Sequence, residues 1–96
     1  MRKLPKKLEY DQTRKLLESD DSEVRRALAL RPDTPPEALY FLAEDPDAEV
    51  RRGVAENEST PRQADVLLSR DTDEAVRCML AEKLARVTPD LPEEKR

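Results

Sequence analysis

Arginine recurs at a fixed interval in this chain. Arg25, Arg51 and Arg77 stand 26 residues apart, and Arg26 and Arg52 double the first two. A guanidinium presents donors in a rigid fork, so a column of them could grip the carboxylates or phosphates of a partner bidentately. Aspartates recur with the arginines, at Asp21, Asp45, Asp47, Asp71 and Asp73. A second chemistry is therefore open to the same residues: each arginine pairs with an aspartate of the chain itself and ties neighbouring segments together. Because both columns keep one spacing, internal pairing is the favoured reading.

Other reactive types give less. Cys78 is the single cysteine and there is no histidine, so a thiol nucleophile would lack its usual base. Aspartates and glutamates are abundant, yet no pair has a recognisable acid–base or metal-ligand spacing. Gly53 is the only glycine, which excludes a glycine-rich phosphate loop. No catalytic, cofactor-binding or metal-binding residue is expected, and the chain is not read as an enzyme. Tyr40 and Phe41 are adjacent on one helix and cannot both face a core, so one is a candidate contact for a partner, with packing at the edge of the groove the favoured alternative.

The arginines are positioned by a repeat. Between residues 20–45 and 46–71, eleven of 26 aligned positions are identical, among them Val24/Val50, Ala29/Ala55, Thr34/Thr60, Pro35/Pro61, Ala38/Ala64 and Leu42/Leu68. A fixed period of this length signals stacked units that each borrow burial from their neighbours. The expected fold is all-α: short helix pairs stacked as a right-handed α-solenoid. Residues 1–7 are expected to be irregular. A single domain then occupies 8–88: a cap helix at 8–19, repeats at 20–45 and 46–71, and a C-terminal repeat or cap at 72–88. Residues 89–96 read as a tail or linker.

The first helix of a unit opens at Asp20-Asp21-Ser22 in the first unit and at Asp47 in the second, where short acceptor side chains can cap free amides. The second helix opens at Thr34-Pro35 or Thr60-Pro61, with threonine capping and proline in the first helical position. Tyr10, Thr13, Leu16 and Leu17 form the apolar face of the cap helix. Gly53 stands where the preceding unit has Ala27, which points to a close helix contact. The third unit has no Thr-Pro at the expected offset and runs on as one helix through Val76, Leu80, Leu84 and Val87. Met79, Leu80, Leu84 and Val87 offer more apolar surface than one preceding helix can cover. Leu84 and Val87 are accordingly expected to meet a second copy of the chain or a following domain, with a homodimer favoured.

The string D-x-D-x-E-V-R-R-x-V/L-A, then T-P, then A-x-x-x-L, resembles the leucine-rich repeat variant family over residues 20–82 and, more loosely, HEAT-like repeats. PPEALYFLAED, ENESTPRQADVLLSRD and VRCMLAEKLARVTPDL are similar to the repeat segment of an uncharacterised alphaproteobacterial family classed under a domain of unknown function. The resemblance implies a right-handed superhelix and, through the HEAT-like relatives, protein binding. It implies no reaction. The founding leucine-rich repeat variant carries an iron–sulfur cluster in a cysteine-rich region. Cys78 alone could not ligate one, and no cofactor is expected.

Charge narrows the partners. The net charge of −4 conceals +3 over residues 1–31, −8 over 32–75 and +1 over 76–96. An acidic middle opposes a phosphate backbone, which disfavours a general nucleic-acid grip. The cluster Arg2, Lys3, Lys6 and Lys7 reads as a solvated terminus. No apolar run approaches the roughly 20 residues of a membrane span. The basic start lacks the apolar core of a signal peptide, so a cytoplasmic location is expected. The leading expectation is a protein- or peptide-binding repeat module. The alternative is a regulatory accessory domain binding an anionic ligand or a nucleic acid through its arginines.

Overall fold

A computed structural model describes residues 9–87. The basic N-terminus and the 89–96 tail lie outside them. Six helices follow in order: α1 Tyr10–Leu17, α2 Ser22–Leu30, α3 Pro36–Leu42, α4 Ala48–Glu56, α5 Arg62–Leu68 and α6 Glu74–Val87. No strand occurs among the described residues. They form two files. In one, α2 packs on α4 and α4 on α6; in the other, α3 touches both α1 and α5.

Short acceptor side chains start the first file. The Asp21 carboxylate accepts from Glu23 N at 3.0 Å, Asp47 from Glu49 N at 2.9 Å and Asp73 from Ala75 N at 2.8 Å. Each satisfies an amide that has no partner within its helix. The second file starts differently from the sequence expectation. Pro35 and Pro61, extended at ψ 151° and 156°, are the capping residues themselves, and the helices begin at Pro36 and Arg62. Thr34 and Thr60 therefore lie one position too far out to cap. Their hydroxyls turn back and donate to Leu28 O at 2.6 Å and Val54 O at 2.8 Å, near the ends of α2 and α4. A buried hydroxyl needs a partner, and carbonyls near a helix end supply one.

Leu28, Leu42, Val50, Val54, Leu68, Val76 and Leu80, with Ala29, Ala55 and Ala64, make one core. Tyr10 is not part of the apolar face expected for α1. It is the first residue of an eight-residue helix and is exposed, while Thr13 is buried and donates to Glu9 O at 3.0 Å. α6 also buries a residue that the expectation did not include. At 3.6 residues per turn the core-facing line through Val76 and Leu80 continues at 83, not 84. Lys83 accordingly lies inside, and Leu84 and Val87 are 40% and 42% exposed.

Gly53 marks a close approach of α4 to α2. A Cβ there would stand 3.2 Å from Ala29 Cβ and 3.4 Å from Leu30 Cγ. The close packing of α2 on α4 depends on that missing methyl. Gly53→Val should therefore lower unfolding free energy by about 1–3 kcal/mol, the usual range for overpacking, as read by urea denaturation.

Candidate functional site

The arginine columns are distributed over α2, α4 and α6, each main-column residue directly following a buried valine. That places Arg25 and Arg51 at the edge of the packed face, beside the turns. Arg25 Nε donates to Asp45 Oδ2 at 2.7 Å and Nη2 to Asp45 Oδ1 at 3.1 Å, while Nη1 donates to Ser19 O at 2.7 Å. Arg51 repeats the set on Asp71 at 2.7 and 3.1 Å and on Asp45 O at 2.7 Å. The two carboxylates also accept from Asp47 N and Asp73 N, both at 2.9 Å. Each arginine thus ties the turn before its own helix to the turn before the next one. Arg77 makes the first of these contacts alone, through Nη1 to Asp71 O.

These bonds fix the protonation states around the turns. The hydrogen bonds to Asp45 and Asp71 raise Arg25 and Arg51 above their ordinary value, against the effect of burial. Asp47 is held below the usual carboxylate range by the Glu49 amide, helped by the Ser22 hydroxyl and the Arg25 and Arg51 charges. Asp33 is lowered by its hydrogen bond from Arg31. At Asp73 desolvation pushes upward, but the Ala75 and Val76 amides and Arg52 outweigh it.

Of the doubling arginines, Arg26 is exposed and Arg52 half-buried. Arg26 lies 3.8 Å from Glu49, and Arg52 reaches Glu49 at 2.5 Å and Asp73 at 3.3 Å. Arg26 lines an open groove of about 600 Å³ together with Ser22, Glu23, Leu30 and Glu49. Exposed ion pairs of this kind contribute little to stability.

Both aromatics of α3 are on the surface, Tyr40 at 41% and Phe41 at 58% exposure. Val66 on α5, 26 residues after Tyr40, is exposed as well. Val66, Leu84 and Val87 line a second groove of about 550 Å³ between α5 and α6. Lys83 borders it at 2% exposure, its Nζ donating to Asp65 Oδ1 at 2.7 Å and to Asn57 O at 3.0 Å. Sequence reasoning missed this pair, although its signal was present. Lys83 falls 26 residues after Asn57, whose side-chain amide donates to Ala29 O and Arg31 O at 2.7 and 2.8 Å. Lys83 reaches the Asn57 carbonyl from inside a continuous helix, just as Asn57 reaches the Arg31 carbonyl from a turn.

Cys78 is exposed, and among the described residues no group of three His, Cys, Asp or Glu could hold a metal ion. No helix among them is long and apolar enough to cross a membrane.

A family model, the leucine rich repeat variant, matches residues 23–47. That quarter of the chain holds most of α2, all of α3, and the Arg25–Asp45 pair with the Asp47 cap. No curated protein and no solved structure matches the chain. The narrower resemblance to an alphaproteobacterial family gains no support from these comparisons.

Arg51→Lys keeps the charge but loses the fork. It should cost about 1–3 kcal/mol by chemical denaturation, whereas Arg26→Ala should stay within about 0.5 kcal/mol of the parent. A second prediction follows from the lowered aspartates. Their charged forms are favoured in the folded state, so the unfolded chain binds more protons in acid. The contribution is complete above the ordinary carboxylate value, about 4, and is lost as pH falls through the lower folded values. Melting temperature should drop on acidification below about pH 4, and Asp47→Asn, which keeps an acceptor at the cap but cannot titrate, should flatten that drop.

Proposed function

We propose that this chain is a right-handed α-solenoid on a 26-residue period, akin to HEAT-like repeats, which binds a protein or peptide in the cytoplasm and catalyses no reaction. Support for the period comes from bonds that recur at that spacing: the Arg25 and Arg51 forks, the Asp21, Asp47 and Asp73 caps, and the Thr34 and Thr60 hydroxyls. The family match over residues 23–47 supports a repeat module of a kind that typically serves protein interaction.

The observation that carries the binding reading is the exposed Tyr40–Phe41 pair. Two of the chain's three aromatics stand side by side on α3, outside a core of leucine, valine and alanine. Glu37 and Glu44, also exposed, stand about one turn to either side. Aromatic anchors with a carboxylate rim suit a segment that carries apolar residues beside Lys or Arg. The alternative, an anion or nucleic acid held by the arginine column, is less well supported. The forks of Arg25 and Arg51 are occupied by Asp45 and Asp71.

Selection of displayed peptides against the full chain tests this reading. Enriched peptides should combine apolar and basic residues and lose at least about 30-fold in affinity for the Tyr40→Ser, Phe41→Ser double variant. The variant should keep its melting temperature, because neither side chain is in the core. Undiminished binding to it would remove the α3 face from the proposal. Micromolar affinity for mixed-sequence nucleic acid with a steep salt dependence would favour the alternative.

A further inference from the structure

Arg77 is anchored as its two counterparts are and holds less. Its Nη1 donates to Asp71 O, as Arg25 Nη1 does to Ser19 O and Arg51 Nη1 to Asp45 O. No carboxylate among the described residues bonds its Nε or Nη2, and the side chain is exposed. The fork therefore points outward from a fixed point.

What such a fork takes is displayed twice within the chain. Asp45 and Asp71 each lie three residues beyond the last leucine of a second-file helix, Leu42 or Leu68, and each helix has a buried alanine one turn earlier, Ala38 or Ala64. The bed for such a helix also recurs. α5 touches α3 and α4, on which Leu39, Ala43 and Val54 are buried. Twenty-six residues later, Asp65, Ser69 and Leu80 line the open groove between α5 and α6. The groove is thus continuous in register with an interface already filled inside the molecule. Its floor is more polar, with Asp65 bonded to Lys83.

We infer that the C-terminal end of the stack, Arg77 with the α5–α6 groove, receives a short amphipathic helix of a partner protein. That helix carries alanine and leucine one turn apart and an aspartate three residues beyond, whose carboxylate enters the Arg77 fork. The two segments with that pattern among residues 9–87 are already seated at Arg25 and Arg51, in every copy alike, so neither of them is the occupant. A polar residue of the partner meets Asp65 and Ser69, the register positions held in the preceding unit by the buried Leu39 and Ala43. The inference rests on the repeat equivalence proposed above and not on the Tyr40–Phe41 contact.

The test titrates the isotope-labelled full chain with a capped synthetic peptide copying residues 60–73, which contains the pattern, into the millimolar range. Saturable shifts should appear in α5 and α6 amides and in the Arg77 Nε–Hε signal. A peptide with asparagine in place of the aspartate corresponding to Asp71 should bind about tenfold more weakly, the loss of one charge-assisted fork. Against Arg77→Gln the two peptides should bind equally, and Tyr40→Ser, Phe41→Ser should change neither affinity. If that double variant abolishes displayed-peptide binding yet leaves these shifts intact, the two surfaces are separate. Absence of saturation, equal binding of the two peptides to the parent chain, or shifts confined to other helices would overturn the inference. So would a dimer of the chain alone that Arg77→Gln disperses, because the fork would then belong to a second copy.

Discussion

Each bidentate arginine–aspartate pair joins two turns that are 26 residues apart in sequence and adjacent in space. Asp45 receives the Arg25 fork and the Asp47 amide, its carbonyl receives Arg51, and Asp47 in turn starts α4. The bonded path therefore runs turn to turn along the edge of the α2–α4–α6 file, through side chains that are mostly shielded from water. This matters because the helices are short. Five of the six have seven to nine residues, too few to persist alone in water. Their ends must be held by something other than their own ladders.

The core supplies the rest of the restraint with small aliphatic groups. Alanines at 29, 55 and 64 and the glycine at 53 let the helices approach closely, so that leucine and valine alone fill the space between the files. An aromatic ring would need more room than this spacing leaves, and all three aromatics are indeed outside. Packing and surface character thus have a common origin. A stack tight enough to use alanine contacts leaves its tyrosines and phenylalanine to solvent or to a partner.

The third unit shows how the pattern is modified at one end. Where the chain turns at Arg31 and Asn57, α6 continues, and Lys83 takes the position of the turn residue. Its methylene stem lies within the protein while its ammonium bonds Asp65 and Asn57 O, which suits a long amphipathic side chain better than an amide. The replacement of Leu39 and Ala43 by Asp65 and Ser69 in the same register makes that end more polar than the interior layers. Recognition there would depend on hydrogen bonds as much as on apolar area.

Much of this was legible in the sequence. Identities at one spacing located the helices to within a residue or two, gave the Asp47 cap and a start at Asp20-Asp21-Ser22 for α2, and matched the arginine column with aspartates at the same spacing. Two local readings failed, and one buried residue went unseen, because they needed the third dimension. Thr34 looks like a cap until the proline after it takes that role and leaves its hydroxyl beside the end of α2. Tyr10 fits an apolar face, but burial requires a neighbour, and α1 starts beyond where one reaches. Lys83 went unnoticed, since nothing local shows that Asn57 O and Asp65 converge on its position. The recurrence of residue types and the capping aspartates were readable from the chain itself, because they depend on residue type and local spacing. Only the tertiary structure decided which forks are filled, which aromatics are exposed and which lysine is buried, because each of those depends on atoms about twenty residues or more away along the chain.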